Sequence, residues 1–119
     1  MQTVRLGKTE IVTNKNGFGA LPIQRISDAE AVKLLRRAYD RGITFYDTAR
    51  FYTDSEVKIG LAFKGMRDKV YIASKTAAVT PETFWKDLET TLNNLQTDYL
   101  DIYQFHNPDF CPKPGDGSG

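Results

Sequence analysis

Four short apolar runs, each followed by a polar turn and an amphipathic stretch, organise most of the chain. The runs cover residues 17–20, 44–47, 70–74 and 99–105, with starts roughly 26 to 30 residues apart, the length of one βα unit. Residues 70–74 are short and nearly continuously apolar, as suits a strand covered on both faces of a parallel sheet. Three helices are predicted between the strands. The first opens at Ser27-Asp28-Ala29-Glu30, a capping box in which the Ser27 hydroxyl and the Glu30 carboxylate satisfy orphan N–H groups. Ala31, Leu34, Leu35 and Ala38 then recur at helical spacing, and Gly42 ends the element. The second opens near Thr53-Asp54-Ser55-Glu56, another capping-box pattern, and ends near Gly65. The third begins at Thr80-Pro81 and places Phe84, Leu88, Leu92 and Leu95 along one side.

Ahead of these units, residues 3–6 and 10–13 flank Gly7-Lys8-Thr9 and predict a small hairpin. The chain is expected to divide into a hairpin over 1–15, βα repeats over 16–108 and a flexible Pro/Gly-rich loop over 109–119. Alternating βα units admit a doubly wound sheet or a (β/α)8 barrel. About four units are present, against the ~250 residues of a whole barrel. Four barrel strands leave two open edges, which folded proteins normally cover. The expectation is therefore that the chain stops inside a longer protein. Its edges would pair with a missing C-terminal half or, by self-association, with a second copy.

Composition narrows the function classes. Lys and Arg number 16 against 15 Asp and Glu in 119 residues, a balance that gives no electrostatic reason to expect nucleic acid or an acidic membrane as partner. No apolar run is long enough for a signal peptide or a membrane span. One cysteine, Cys111, precludes an internal disulfide, and a cytoplasmic setting is the expectation. With a single histidine beside it, a zinc site built mainly from Cys and His is excluded within this chain, and no metal is expected. Gly17-Phe18-Gly19 begins like a dinucleotide fingerprint, but Pro22 takes the place of the third glycine, against a Rossmann phosphate turn.

The chemistry-bearing residues gather where α/β barrels keep theirs, at the C-terminal ends of strands. Asp47 and then Tyr52 follow the second run, Lys75 follows the third, and His106-Asn107 ends the fourth. Singly, each has a plainer reading: a turn cap, a packing aromatic, a lysine reaching solvent, a hydrogen-bonded structural histidine. Together they suit the reduction of a carbonyl. Hydride addition makes an alkoxide that needs a proton and charge stabilisation. A phenol can donate that proton, an ammonium beside it stabilises the phenolate left behind, and a carboxylate holds the ammonium. An imidazole on the adjacent strand can hydrogen-bond the carbonyl oxygen.

Gly17-Phe18-Gly19-Ala20, Tyr46-Asp47-Thr48-Ala49 with Tyr52 and Ser55-Glu56, Ile72-Ala73-Ser74-Lys75-Thr76, and the run from Asp98 through His106-Asn107-Pro108 resemble the aldo-keto reductase family in order, spacing and strand context. The resemblance covers essentially the whole chain. It implies an α/β fold of the (β/α)8 TIM-barrel type, with the first four βα units and the N-terminal hairpin present. It implies an oxidoreductase that reduces aldehydes and ketones, small-molecule carbonyl substrates, with NADPH or, less often, NADH. Tyr52 would be the general acid, Lys75 its activator, Asp47 the support for Lys75, and His106 the residue that orients the carbonyl. Gly19, Ala20 and Asp47 would lie near the nicotinamide ribose, and Asn107 would add a further contact. The family's remaining cofactor contacts fall on later strands that this sequence does not contain, so the 119 residues by themselves are expected to be inactive.

Two other readings stay open. One is a non-catalytic half-barrel, a folding or assembly fragment whose inherited site never turns over. The other is a Schiff-base aldolase using Lys75 as nucleophile, which leaves Asp47, Tyr52 and His106 unexplained as a group.

Overall fold

A computed structural model describes residues 2–111, 113 and 115. Strands β1 (Thr3–Arg5) and β2 (Val12–Asn14) pair antiparallel. The second arm starts later than the pattern predicts, because Leu6 N–H donates to the Ile11 carbonyl (3.0 Å) and Gly7 takes a left-handed conformation (φ 58°), which lengthens the turn. Thr13 Oγ1 meets Thr44 Oγ1 at 2.7 Å and Asn14 Nδ2 donates to the Gly42 carbonyl at 2.9 Å. These bonds seat the hairpin against the segment that enters the second parallel strand.

The remaining strands, β3 (Phe18–Gly19), β4 (Phe45–Asp47), β5 (Tyr71–Thr76) and β6 (Ile102–Phe105), form one parallel sheet in the order β3-β4-β5-β6. Strands consecutive in sequence are neighbours throughout, without the reversal of order that defines a doubly wound sheet. Helices α1 (Asp28–Asp40), α2 (Ser55–Ala62) and α3 (Pro81–Leu95) pack in series, α1 on α2 and α2 on α3. None of the helices is long and apolar enough to cross a membrane among the described residues.

The two faces of the sheet follow from the packing. Tyr46 is buried, with its hydroxyl donating to the Ile43 carbonyl (2.7 Å) and its ring 4.7 Å from that of Phe63, beyond α2. Ser74 donates to Glu56 of α2 and Thr76 to Asp87 of α3, both at 2.6 Å. Tyr103 and Phe105 stack on Phe84 of α3. These residues define the helix side. Strand alternation then puts Phe45, Asp47, Tyr71, Ala73, Lys75, Ile102 and Gln104 on the opposite face.

Several local expectations needed correction. Ser27 caps α1 by accepting from Glu30 N–H (3.2 Å), which is the Ser27 half of the expected box. At α2 no side-chain cap bond forms. Glu56 turns inward instead, 1% exposed, and accepts from Ser74 Oγ and from Asn94 Nδ2 of α3 (3.2 Å). Helix α2 stops at Ala62 rather than near Gly65. Leu34 is 44% exposed, because the buried stripe of α1 runs through Ala31 and Leu35. The fourth strand begins at Ile102, not at 99. Upstream, the Asp101 carboxylate takes Ile72 N–H (2.9 Å), and Arg67 binds both Asp101 (2.9 Å) and the Tyr99 carbonyl (3.1 Å). A reciprocal box forms instead at α3, between Thr80 and Thr83, where the sequence marks only a cap followed by proline. Of the loop expected over 109–119, residues 112, 114 and 116–119 lie outside the described residues.

Two stability predictions follow from the packing. A Cβ on Gly60 would sit 2.6 Å from the Asn94 carbonyl oxygen and 2.9 Å from the Leu95 carbonyl carbon, both backbone atoms of α3. Gly60→Ala gains up to about 1 kcal/mol of helix propensity but must push the two helices apart, so a net loss of about 1–2 kcal/mol is expected from overpacking. Urea denaturation should show a lower midpoint at unchanged slope. Burial, and then the Asp87 and Glu56 charges, push the Tyr103 phenol from 10.0 up to about 12. The Thr76 hydroxyl proton goes to Asp87, and among the described residues Tyr103 Oη is buried without a hydrogen-bond partner. A raised folded value means the stability is fully present below pH 10 and is lost as pH rises through about 12. Tyr103→Phe should therefore flatten the alkaline limb of a stability-versus-pH curve while costing little near neutrality.

Candidate active site

Asp47 closes β4, and its place is fixed from both sides. Its backbone carbonyl accepts Ala20 N–H (2.9 Å), while Thr48 N–H extends the ladder to the Ala73 carbonyl (2.8 Å). Register pairs Gly19 with Asp47 and Asp47 with Ala73. Lys75 lies two residues beyond Ala73 on the same face. Its Nζ donates to Asp47 Oδ2 at 2.7 Å and to the Thr48 carbonyl at 2.8 Å. The lysine side chain is 14% exposed and the aspartate 36%, so the cation is largely withdrawn from water while the carboxylate stays accessible. A charge in that position needs its partners.

Tyr52 sits in the loop between β4 and α2. Its N–H donates to the Ala49 carbonyl (3.1 Å), and its own carbonyl accepts Ser55 N–H (2.8 Å). Ala49 is fully buried and anchors the loop. Lys75 Nζ lies 5.2 Å from the Tyr52 ring centroid, and the His106 ring packs edge-to-face with Tyr52 at 5.5 Å and 88°. Lysine and phenol therefore meet through the ring face, with two of the three ammonium donors already used by Asp47 and Thr48. His106 is placed by its backbone, whose N–H continues the β6 ladder to the Thr76 carbonyl (2.8 Å). Asn107 follows in a left-handed conformation (φ 46°) and is exposed. The structure thus brings Asp47, Tyr52, Lys75 and His106 to one end of the sheet.

The three remaining candidates differ in what they can offer. Gly19 is exposed, and a Cβ there would meet nothing within 4 Å, so space is open above it. Ala20 departs from expectation: it is fully buried and its N–H is committed to Asp47, so it positions that residue and presents no surface to a ligand. Asn107 is accessible, beside a cleft of about 220 Å3 next to His106, lined also by Ala78, Val79 and Phe110. A larger hollow of about 620 Å3 lies between Arg67, Leu92 and Tyr99, away from all four clustered groups, and carries none of this chemistry.

Sequence reading missed two neighbours. The Thr48 carbonyl holds Lys75, and a backbone acceptor leaves no trace in residue type. Phe51 is exposed with its ring 6.4 Å from His106; the consecutive aromatics Phe51-Tyr52 in a strand-end loop were the available signal.

A parallel βα sheet wound in sequence order, with its polar cluster at the strand C-termini, defines a segment of an α/β barrel. The chain matches the aldo/keto reductase family over residues 13–113 and belongs to that family. It is 33% identical to the aldo-keto reductase YhdN of Bacillus subtilis, across 92% of this chain and 39% of that protein. It is 32% identical to estradiol 17 beta-dehydrogenase 5 of Mus musculus, across 97% and 38%. Among solved structures, an aldo-keto reductase from Klebsiella pneumoniae in complex with NADPH superposes with a TM-score of 0.83 at 32% identity, covering 93% of this chain and 41% of that one. The chain spans less than two fifths of the two sequence relatives, and its fold corresponds to the N-terminal part of their (β/α)8 barrel.

His106 yields a prediction of its own. Among the described residues its Nδ1 is buried without a hydrogen-bond partner. A proton there would be an orphaned donor, which folded proteins tolerate less well than an under-used acceptor. The neutral ring should carry its proton on Nε2, and long-range 1H–15N spectra of the imidazole should show that tautomer in excess.

Proposed function

We propose that the protein reduces aldehydes or ketones with NADPH, and that Tyr52, Lys75, Asp47 and His106 are its acid–base set. One observation carries this reading: a largely buried ammonium, fixed 2.7 Å from Asp47, lies over a phenol ring that also packs against an imidazole. The NADPH-bound Klebsiella relative supports the choice of cofactor. The residues fit the nicotinamide end of that group, since Gly19 leaves open space at the strand end and the adjacent Asp47 keeps Oδ1 for a ribose hydroxyl.

When bound, the nicotinamide supplies the hydride. Tyr52 Oη gives its proton to the carbonyl oxygen as the alcohol forms. Lys75, held by Asp47 and Thr48, stabilises the phenolate that remains, and solvent restores the proton. His106 Nε2–H donates to the same carbonyl oxygen and fixes its direction. Asn107 and the cleft beside it, lined by Thr76 and Asp109 as well as Val79 and Phe110, receive the rest of the substrate.

The activity is assigned to a complete barrel, because the relatives are more than twice the length aligned. A second reading, a non-catalytic half-barrel, draws on the half-exposed Phe45, Tyr71 and Ile102 of the inner face. NADPH titration and turnover of the full-length protein separate the two: a full-length chain that neither binds NADPH nor reduces a carbonyl favours the non-catalytic reading.

In the full-length protein, Tyr52→Phe and Lys75→Met should each lower kcat by about 10²–10⁴-fold, the scale of positioned proton transfer, with NADPH affinity nearly unchanged. Normal carbonyl reduction by either variant would overturn the assignment. Borohydride trapping of substrate on Lys75 would establish the aldolase chemistry instead.

A further inference from the structure

Lys58 lies on α2 with its side chain 1% exposed, at a position where an amine is costly unless its donors are met. Nζ donates to the Ile23 carbonyl at 3.0 Å and to Asp54 Oδ2 at 2.8 Å. Ile23, itself buried, belongs to the 3-10 turn Leu21–Arg25 that follows β3. Asp54 is the N-cap residue of α2, two positions after Tyr52. One buried cation thus joins the turn beyond the first parallel strand to the segment that carries the phenol.

Two further bonds cross the same gap. Thr53 Oγ1 donates to Gln24 Oε1 at 3.0 Å, and Ser55 Oγ donates to the Ala20 carbonyl at 3.0 Å. Between Tyr52 and Asp54 the chain is strained, since Thr53, a β-branched residue, has φ +39°. Backbone of that kind persists only where its surroundings over-determine it. The Lys58 hydrogen bond also holds the Asp54 carboxyl below the ordinary carboxylate range. Packing by itself does not call for the amine. An apolar side chain of similar length would fill the site without desolvating a charge, and Asp54, its side chain 49% exposed, would be left to water and not buried unpaired.

We propose that the pair formed by buried Lys58 and half-exposed Asp54 is a positioning device for Tyr52, clamping the strained 52–54 segment onto the 21–25 turn so that the phenol stays over Lys75 and beside His106. This rests on the reading of Tyr52 as proton donor. Lys58 and Asp54 are positioning residues, since they act on the carbonyl only through Tyr52.

The test uses full-length protein. Lys58→Met should lower kcat about tenfold while melting temperature and NADPH affinity hold or improve. Asp54→Ala should reproduce the loss, and serves if Lys58→Met fails to fold. Asp54→Asn, which keeps an acceptor for Nζ, should recover most of the rate. The double variant Lys58→Met with Asp54→Ala should be no slower than either single one, because both break the same link. In a Tyr52→Phe background, Lys58→Met should cost nothing further. Unchanged kcat in Lys58→Met or Asp54→Ala, or a loss that tracks melting temperature, overturns the proposal. If Tyr52→Phe remains active, the reading of Tyr52 has failed instead, and that outcome is distinct from failure of the clamp.

Discussion

Tyr46 cannot turn inward without carrying Asp47 outward. Its ring is buried among Phe18 and Phe63, and its hydroxyl is tied to Ile43. Because side chains alternate with a period of two, a one-residue slip would move every group on the strand to the opposite face. The packing that keeps Tyr46 under the helices therefore also holds Asp47 on the other side. In β5, Ser74 and Thr76 are bonded to α2 and α3, and Lys75 between them has only the inner face left. The ladder of parallel strands then brings the two inner groups within 2.7 Å of each other. Hydrophobic burial and polar satisfaction on one face thus decide the geometry of the chemistry on the other.

The helix layer is bound by more than apolar contact. Glu56 is buried between Ser74 of β5 and Asn94 of α3, and Gly60 lets α2 and α3 approach closely enough for Asn94 to reach it. At the other end of the sheet, Arg67 links the carbonyls of Val70 and Tyr99 to Asp101, and its guanidinium lies 4.0 Å from the Tyr99 ring centroid. A buried carboxylate with neutral partners is costly to orphan. Such a contact specifies how neighbouring βα units sit against each other more than it adds to stability.

Much of this was legible in the sequence, and for physical reasons. Continuous apolar runs at regular spacing gave the parallel strands, and the stripe through Ala31 and Leu35 gave the face of α1. Chemistry at strand ends needs specific residue types, so Asp47, Tyr52, Lys75 and His106 stood out together. The failures share a cause: sequence patterns describe local satisfaction, and these residues were recruited from a distance. Glu56 fits a capping box but is drawn to Ser74 and Asn94, 18 and 38 residues away. Asp101 looked like part of a strand and instead serves Ile72 and Arg67. Ala20 lies at the right strand end, yet backbone pairing commits it to Asp47. Lys58 shows in the sequence only as an i,i+4 partner of Asp54; its burial and its bond to the Ile23 carbonyl are set by the fold of the 21–25 turn.

The sequential order of the sheet bears on how the chain is made. Each parallel strand pairs with the one immediately before it in sequence, so no pairing waits for a segment not yet synthesised. Loop closure spans a single βα unit at every step, which keeps its entropic cost nearly constant along the sheet. During synthesis the growing edge is therefore always the most recent strand. The register that sets Asp47 against β3 draws on no residue later than β4. The ion pair closes when β5 docks.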